Sequence, residues 1–136
     1  MRKVFLDTNI ILDLLAERVP FYTEAAELFS LADKKKIKLF ISAISLANTY
    51  YILSKQNSDN EVRSILRKFK VLVTVLEIND KISDLALNSD FKDFEDAIQY
   101  FTALENDLEV IITRNQSDFK GSTIPVLNAG ELIKML

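Results

Sequence analysis

Short runs of consecutive apolar residues recur along the chain and are separated by longer stretches in which apolar residues are more widely spaced. Within the runs, apolar residues do not alternate with polar ones, a pattern typical of strands that are buried on both faces of a parallel sheet. We therefore predict four strands, at VFL (4–6), KLFIS (38–42), VLVTVL (71–76) and EVIIT (109–113).

In the stretches between these runs, apolar residues recur every three or four positions, which is the spacing of one face of an α-helix. In residues 94–106, for example, Ala97, Ile98, Phe101 and Leu104 form one stripe. Helices are predicted in the same way at 8–16, 21–35, 43–55, 60–70, 81–88 and in the C-terminal segment NAGELIKML. Strands that alternate with helices predict a three-layer α/β/α fold, in which helices cover both faces of a central parallel sheet.

The composition supports one such domain and restricts the chemistry that it can perform. The 136 residues suit a single domain, 1–136, and 49% of them are apolar. The chain contains neither cysteine nor histidine, which excludes disulfides, thiol nucleophiles and imidazole catalysis or ligation. Catalysis has to use carboxylates, amides, hydroxyls, lysines or arginines, and the metals that suit these groups are Mg²⁺, Mn²⁺ and Ca²⁺.

Charge and hydropathy bear on the partners and the location of the protein. The net charge of −3 does not favour a molecule that binds nucleic acid over its whole surface, although it leaves room for a local basic patch. The N-terminal MRKVFLD leads directly into a strand and does not resemble a signal peptide. No apolar run approaches the ~18 residues of a membrane span, so we expect a cytoplasmic protein.

Acidic and amide side chains follow the predicted strands at their carboxyl ends, where parallel α/β sheets bind their ligands. The candidate site residues are Asp7 after the first strand and, further along the chain, Asp93, Asp96, Thr113, Asn115 and Asp118. Each acid also has a structural explanation. Asp7 can cap the next helix, the D-x-x-D pattern of Asp93 and Asp96 is close to a capping box, and a turn can begin at the last acid.

If these acids lie close together in space, their structural explanations are no longer sufficient. Two carboxylates about 4 Å apart repel by roughly 4 kcal/mol at an effective dielectric near 20, and a divalent cation turns this repulsion into attraction. A cluster of acids without basic neighbours therefore predicts a metal site.

Four segments resemble the PIN domain in their order and spacing: DTNIILDLL, ISAISLANTYYIL, DFEDAIQYFTAL and IITRNQSDF. The resemblance spans essentially the whole chain and is to the single-domain prokaryotic branch that includes VapC-type toxins. It implies a central parallel sheet of four to five strands and Mg²⁺- or Mn²⁺-dependent cleavage of RNA to 5′-phosphate and 3′-hydroxyl ends. It also implies a small antitoxin partner and leaves a homodimer open.

The resemblance implies roles for individual residues. Asp7, Asp96 and Asp118 match family acids and are expected to hold the metal. Thr8 or Thr113 matches the hydroxyl that orients a metal ligand or a water molecule, and the asparagine of the D-T-N turn, Asn9, is expected to hold the backbone of the site.

The chain departs from the family pattern at two positions. Asn48 stands where family nucleases usually place a glutamate, and Asn115 stands where many relatives have an aspartate. An asparagine keeps an oxygen ligand but loses the charge, so both amides are expected to orient water or the metal shell. One metal ion remains supported, whereas a second one requires Asp93 or Glu95 to reach the site; Asp93 or Asp118 is also expected to accept the proton of the attacking water.

Basic side chains provide candidate RNA contacts. Arg63, Arg67 and Lys70 lie on one face of a predicted helix, and Arg114 lies beside the proposed site, where a guanidinium can bind a phosphate. A solvated surface remains the alternative for such residues. The apolar segment 19–22 is a candidate for part of a protein interface.

Three functions remain open from the sequence. The first is a metal-dependent endoribonuclease that acts as the toxin of a toxin–antitoxin pair. The second, motivated by Asn48, is a PIN scaffold with little or no catalysis that binds RNA or protein. The third is a metal-dependent phosphatase, which is disfavoured because that class uses D-x-D where this chain has D-T-N.

Overall fold

A five-stranded, all-parallel sheet forms the centre of the computed structural model, which describes residues 1–136. The strands are β1 (Arg2–Leu6), β2 (Ile37–Ser42), β3 (Val73–Leu76), β4 (Val110–Ile112) and β5 (Val126–Leu127). The helices are α1 (Thr8–Leu15), α2 (Tyr22–Asp33), α3 (Ala43–Leu53), α4 (Asp59–Phe69), α5 (Asp80–Leu87), α6 (Phe94–Glu105) and α7 (Ala129–Met135), with a short 3-10 helix at Gln116–Phe119. The predicted three-layer α/β fold is confirmed.

The strand order β3-β2-β1-β4-β5 places β1 in the middle of the sheet. Its side chains alternate between two cores, because Val4 and Leu6 pack beneath α1, α2, α4 and α7, whereas Phe5 packs beneath α6. These three side chains are completely buried, which explains why the strand reads as a continuous apolar run.

The chain order reverses on the two sides of β1, and this reversal defines where a ligand can bind. After β1 the chain forms β2 and β3 on one side, and later β4 and β5 on the other. In such sheets, a crevice opens at the carboxyl ends of the two strands between which the order reverses. Leu6 of β1 pairs with Ile112 of β4, so Asp7 and Thr113 leave the sheet side by side.

Several predicted boundaries differ from the structure for local reasons. The helix predicted at 21–35 ends at Asp33, because Lys35 has a φ of 60° that cannot continue a helix. The strand predicted to begin at residue 71 begins at Val73, because the backbone amides of Val71 and Leu72 still bond to carbonyls at the end of α4. The other predicted elements differ by one or two residues, a normal margin for element ends.

The pattern of apolar runs did not reveal two short elements, β5 and the 3-10 helix. β5 has only two residues, too few for any periodicity. None of the helices is both long enough and apolar enough to cross a membrane.

Candidate active site

Asp7 lies at the carboxyl end of the central strand, where the chain turns from β1 into α1. It is the N-cap residue of α1, and the backbone amide of Thr8 donates to its Oδ1 at 2.8 Å. The hydroxyl of Thr113 donates to its Oδ2 at 2.8 Å. Asp7 therefore caps α1, as its structural explanation predicted. Capping alone does not explain why this carboxylate is only 9% exposed and has no cationic partner.

Thr113 and Asn9 join the ends of β1 and β4 beneath this carboxylate. The amide nitrogen of Asn9 donates to Thr113 Oγ1 at 3.3 Å, and the backbone amide of Asn115 donates to the same oxygen at 3.0 Å. Asn9 Oδ1 accepts a bond from the backbone of Arg114 at 3.4 Å. With these donors in place, the Thr113 hydroxyl hydrogen is directed at Asp7, which fixes the orientation of the carboxylate.

Asp93 and Asp96 approach Asp7 from the N-terminal end of α6. Asp93 caps this helix, since its Oδ2 accepts a bond from the backbone amide of Asp96 at 3.2 Å. Asp118 approaches from the 3-10 helix after β4 and is exposed. The charges of Asp7, Asp93 and Asp118 all contribute to the raised pKa of Asp96, so these four acids lie near one another at the carboxyl end of the sheet.

Burial and neighbouring negative charges raise the pKa values of Asp7 and Asp96 in the site. Burial, together with the negative charges of Asp7, Asp93 and Asp118, raises the pKa of Asp96 to about 7. Burial also raises the pKa of Asp7, against the opposing effect of the bonds from Thr113 and Thr8, and the charges of Asp118 and Asp93 add to this rise. Without a counterion, ionisation of the cluster is therefore unfavourable near neutral pH.

Asn48, at the position where the family resemblance predicts an acid, forms a hydrogen bond with Glu95. Its Nδ2 donates to Oε1 of Glu95 at 2.6 Å, which joins α3 to the first turn of α6. Glu95 is half-buried, and its pKa is raised by burial and by the charges of Asp93 and Asp7, although the bond from Asn48 lowers it. The two side chains therefore bring a further carboxylate into the group.

A buried polar network, which the sequence analysis did not predict, lies beside the acids. Gln99 Oε1 accepts a bond from Ser42 at 2.6 Å, and its Nε2 donates to Ser45 at 2.6 Å. Ser45 in turn bonds to Thr8 at 2.8 Å. The network ties β2, α3, α6 and α1 together. Gln99 stands three residues after Asp96, and a polar residue beside the apolar stripe of a helix was the signal that could have revealed it.

A cleft of about 570 Å³ opens next to Asp93, Asp96 and Asp118. Lys92 and Lys120 also line it, so the expectation of a cluster without basic neighbours is wrong. Neither lysine forms an ion pair with an acid of the site. The cleft therefore combines acids at one end with free ammonium groups that can contact a phosphate.

Arg114 is engaged differently from the expected phosphate contact. Its Nε and Nη2 donate to Asp13 at 2.7 and 3.1 Å, and its guanidinium lies 3.9 Å from the ring centroid of Phe21. The Asp13 side chain is 1% exposed, whereas that of Arg114 is 27% exposed. The main role that the structure gives to Arg114 is to connect the end of β4 to α1 and to the residue before α2.

The predicted basic face on α4 borders a groove with α3. Arg63, Arg67 and Lys70 line it together with Tyr50 and Tyr51. Arg63 pairs with Asp59 at 2.8 Å and is exposed, so Arg67 and Lys70 are the members without an ion-pair partner. The groove therefore presents two unpaired cationic side chains beside two tyrosines.

The donor set fits a hard divalent cation. It consists of carboxylate and amide oxygens alone, and the pKa of Asp96 is raised by burial first and by the neighbouring carboxylates second. No three acids are arranged in this conformation so that they could hold a metal ion, and Asp93 and Asp118 are the exposed carboxylates of the group. Asp7 is the fixed member, because hydrogen bonds hold both of its oxygens.

The fold and the site together define a class of protein: a parallel α/β domain with a group of acids at the carboxyl end of its central strand. The sequence matches the family model of the PIN domain over residues 3–117. The chain therefore belongs to the PIN-domain family.

Among individual relatives, Ribonuclease VapC1 of Aquifex aeolicus (strain VF5) is 27% identical over 133 residues, which cover 95% of this chain and 92% of that protein. A chain in the toxin-antitoxin complex from Klebsiella pneumoniae is 26% identical, with a TM-score of 0.70 and coverage of 93% of this chain and 97% of that one. A chain in the crystal structure of VapBC2 from Rickettsia felis, bound to a promoter DNA fragment, is 21% identical with a TM-score of 0.67. The match covers 92% of this chain and 96% of that one. This last similarity bears on the fold alone.

Proposed function

We propose that the protein is a ribonuclease that cleaves RNA phosphodiesters with Mg²⁺ or Mn²⁺ and acts as the toxin of a toxin–antitoxin pair. The observation that carries the proposal is the unpaired negative charge at the carboxyl end of the central strand, where Asp7 has no ion-pair partner and its charge, with that of Asp118, contributes to the raised pKa of Asp96. Membership of the PIN-domain family and the similarity to Ribonuclease VapC1 support it.

Asp7, Asp96 and Asp118 would hold the ion, which supplies polarisation of the phosphate and an acidified water. The protein positions this chemistry through Thr113, whose hydroxyl fixes the Asp7 carboxylate. Asp118 and Asp93, at the more exposed rim of the site, are placed to accept the proton of the attacking water. Asn115 also lies at this rim and is exposed, which suits the proposed role of orienting water.

RNA would be held by cationic side chains in the cleft and in the groove between α3 and α4. Lys92 and Lys120 line the cleft next to Asp96, and Arg67 and Lys70 line the groove between α3 and α4. Phosphate contacts of this kind position a nucleic acid without reading its sequence. In the same groove, Tyr51 is 68% exposed and presents a ring on which an unpaired base can stack.

An antitoxin is the proposed protein partner. The similarity to the Klebsiella pneumoniae toxin-antitoxin complex supports this proposal. The segment 19–22 provides an apolar surface for such a partner, since Val19 is 88% exposed and Phe21 is 39% exposed. A homodimer stays a prediction that the molecular mass in solution would test.

A cleavage assay with single-stranded RNA tests the proposed activity. We expect cleavage to 5′-phosphate and 3′-hydroxyl ends with Mn²⁺ or Mg²⁺, no cleavage with EDTA, and loss of cleavage in Asp7→Asn and Asp96→Asn. Asp33→Asn is the matched control, because Asp33 ends α2 at the opposite edge of the sheet. Cleavage by both site variants at the wild-type rate would exclude this site.

The same samples distinguish a nuclease from a non-catalytic PIN scaffold, the alternative motivated by Asn48. A ligand at 100 times its dissociation constant stabilises the folded state by about 2.7 kcal/mol, so Mn²⁺ should raise the unfolding temperature of the nuclease. RNA binding without cleavage and without stabilisation by Mn²⁺ would favour the scaffold.

A further inference from the structure

A carboxylate outside the predicted metal set, Glu95, lies in the first turn of α6 beside Asp96. We propose that Glu95 is a further metal-shell ligand and that Asn48 is a positioning residue, whose amide holds the Glu95 carboxylate in place. The inference rests on the proposed function, since it assigns a role towards the ion that this function requires.

The first argument is the contact itself. Asn48 Nδ2 lies 2.6 Å from Glu95 Oε1, and the bond crosses from α3 to α6 between residues that are 47 positions apart in the chain. The bond uses one oxygen of the carboxylate, and no other hydrogen bond is made to this side chain. The second oxygen therefore stays available to a ligand.

The second argument is that Glu95 lacks a cation. The carboxylates of Glu105, whose side chain is 28% exposed, and of Asp13, whose side chain is 1% exposed, are paired with Lys81 and Arg114, respectively. Glu95 is also half-buried, yet its surroundings add the negative charges of Asp93 and Asp7. A neutral amide offsets this repulsion only in part, whereas a divalent ion offsets it fully.

A purely structural role for Glu95 is the competing explanation. An acid in the first turn of a helix interacts favourably with the helix dipole, and the bond to Asn48 would then simply join two helices. The two roles differ in the metal-free protein. A structural Glu95 stabilises the fold without metal, whereas a ligand that is held against other acids stabilises it only once the ion is bound.

The experiment compares Mn²⁺ binding by calorimetry with unfolding temperatures in EDTA and in Mn²⁺, for the full chain and three variants. Glu95→Gln removes the charge but keeps an oxygen that accepts from Asn48. Asn48→Glu/Glu95→Gln exchanges the carboxylate and the amide across the same hydrogen bond. Glu109→Gln is the control, because it removes one charge from an exposed position at the opposite edge of the sheet.

We expect Glu95→Gln to weaken Mn²⁺ binding by about 10–100-fold, the range found when groups that support a metal site are lost. Its unfolding temperature in EDTA should equal or exceed that of the wild type. The exchange variant should recover most of the lost affinity, and Glu109→Gln should bind as the wild type does. If Glu95→Gln does not fold, the calorimetry is repeated with Glu95→Asp, which retracts the charge by one methylene and should also bind more weakly.

The outcomes separate failure of this inference from failure of the proposed function. If the wild type does not bind Mn²⁺, the proposed function itself is overturned. If the wild type binds and Glu95→Gln binds equally well, or destabilises the EDTA form as much as the Mn²⁺ form, Glu95 is structural and the inference is overturned. Equal weakening in Glu109→Gln would indicate a general effect of net charge and would also overturn it.

Discussion

Asp96 has the most perturbed acid–base behaviour in the site, and this has a consequence for stability. Its pKa is raised from 3.8 to about 7 in the folded state, so the folded protein binds this proton more tightly than the unfolded chain does. The contribution to stability is fully present below pH 3.8 and is lost as the pH rises through about 7.

We therefore expect Asp96→Asn to change the pH dependence of unfolding. In EDTA, the wild type should lose stability relative to this variant between about pH 4 and pH 7, because only the wild type carries an ionisable carboxyl at position 96. Urea unfolding at a series of pH values measures the difference. A difference that is independent of pH would contradict the raised pKa, and Mn²⁺ should stabilise the wild type at neutral pH but not the variant.

The hydroxyl of Thr113 fixes the orientation of the Asp7 carboxylate. Thr113→Val keeps the shape but removes the donor to a buried carboxylate oxygen, which should cost about 1–3 kcal/mol of stability and weaken Mn²⁺ binding. Thr102→Val is the control, since its hydroxyl is also buried but bonds to the carbonyl of Ile98 within α6. Unchanged Mn²⁺ affinity in Thr113→Val would show that Asp7 needs no support from this hydroxyl.

At the residue scale, the sequence identified candidate acids but not the residues that support them. Asp7, Asp96 and Asp118 were found because they follow apolar runs or begin a helix, and both features are local. Gln99 and Lys120 were missed because their roles depend on which elements face one another. The contact of Asn48 with Glu95 joins residues 47 positions apart, and no local pattern encodes such a distance.

Among the elements, β4 is anchored to α1 by an ion pair rather than by apolar contacts alone. Arg114→Ala leaves the Asp13 carboxylate buried and unpaired, so we expect a loss of about 3–5 kcal/mol in the free energy of unfolding. Arg114→Lys keeps the charge but loses the bidentate hydrogen bond to Asp13 and the planar guanidinium over Phe21. Its free energy of unfolding should therefore lie between those of the wild type and Arg114→Ala. A loss below ~1 kcal/mol with weaker RNA binding would instead support the phosphate contact expected from the sequence.

The groove between α3 and α4 leads to a prediction about RNA binding. Arg67→Gln/Lys70→Gln should weaken binding of single-stranded RNA and reduce the slope of log K against log salt by about 1.4, which corresponds to two lost phosphate contacts. Binding is measured without divalent ions, so that the RNA stays intact.

Lys34→Gln/Lys36→Gln removes the same charge from the segment before β2, at the opposite edge of the sheet, and serves as the control for the groove variant. An equal loss of affinity in both double variants would show that net charge, rather than the groove, determines RNA binding.

At the scale of the whole molecule, the arrangement of layers followed from the sequence, but the sheet order did not. Continuous apolar strands that alternate with helices are sufficient to predict a covered parallel sheet. The central place of β1 depends on its pairing with β4, and residues such as Leu6 and Ile112 are brought together only by the complete fold. The carboxyl ends of the predicted strands indicated where to look for a site, and the resemblance of the four segments to PIN domains assigned roles to the residues there.

The same pairing has a consequence for the synthesis of the protein. The hydroxyl that fixes Asp7 comes from Thr113, 106 residues later, and Asp118 follows it. A growing chain emerges from the ribosome with its amino-terminal end first, so a nascent polypeptide carries the first acid long before the residues that complete the centre. Under the proposed function, the messenger that encodes the enzyme is therefore spared from attack by its own unfinished product.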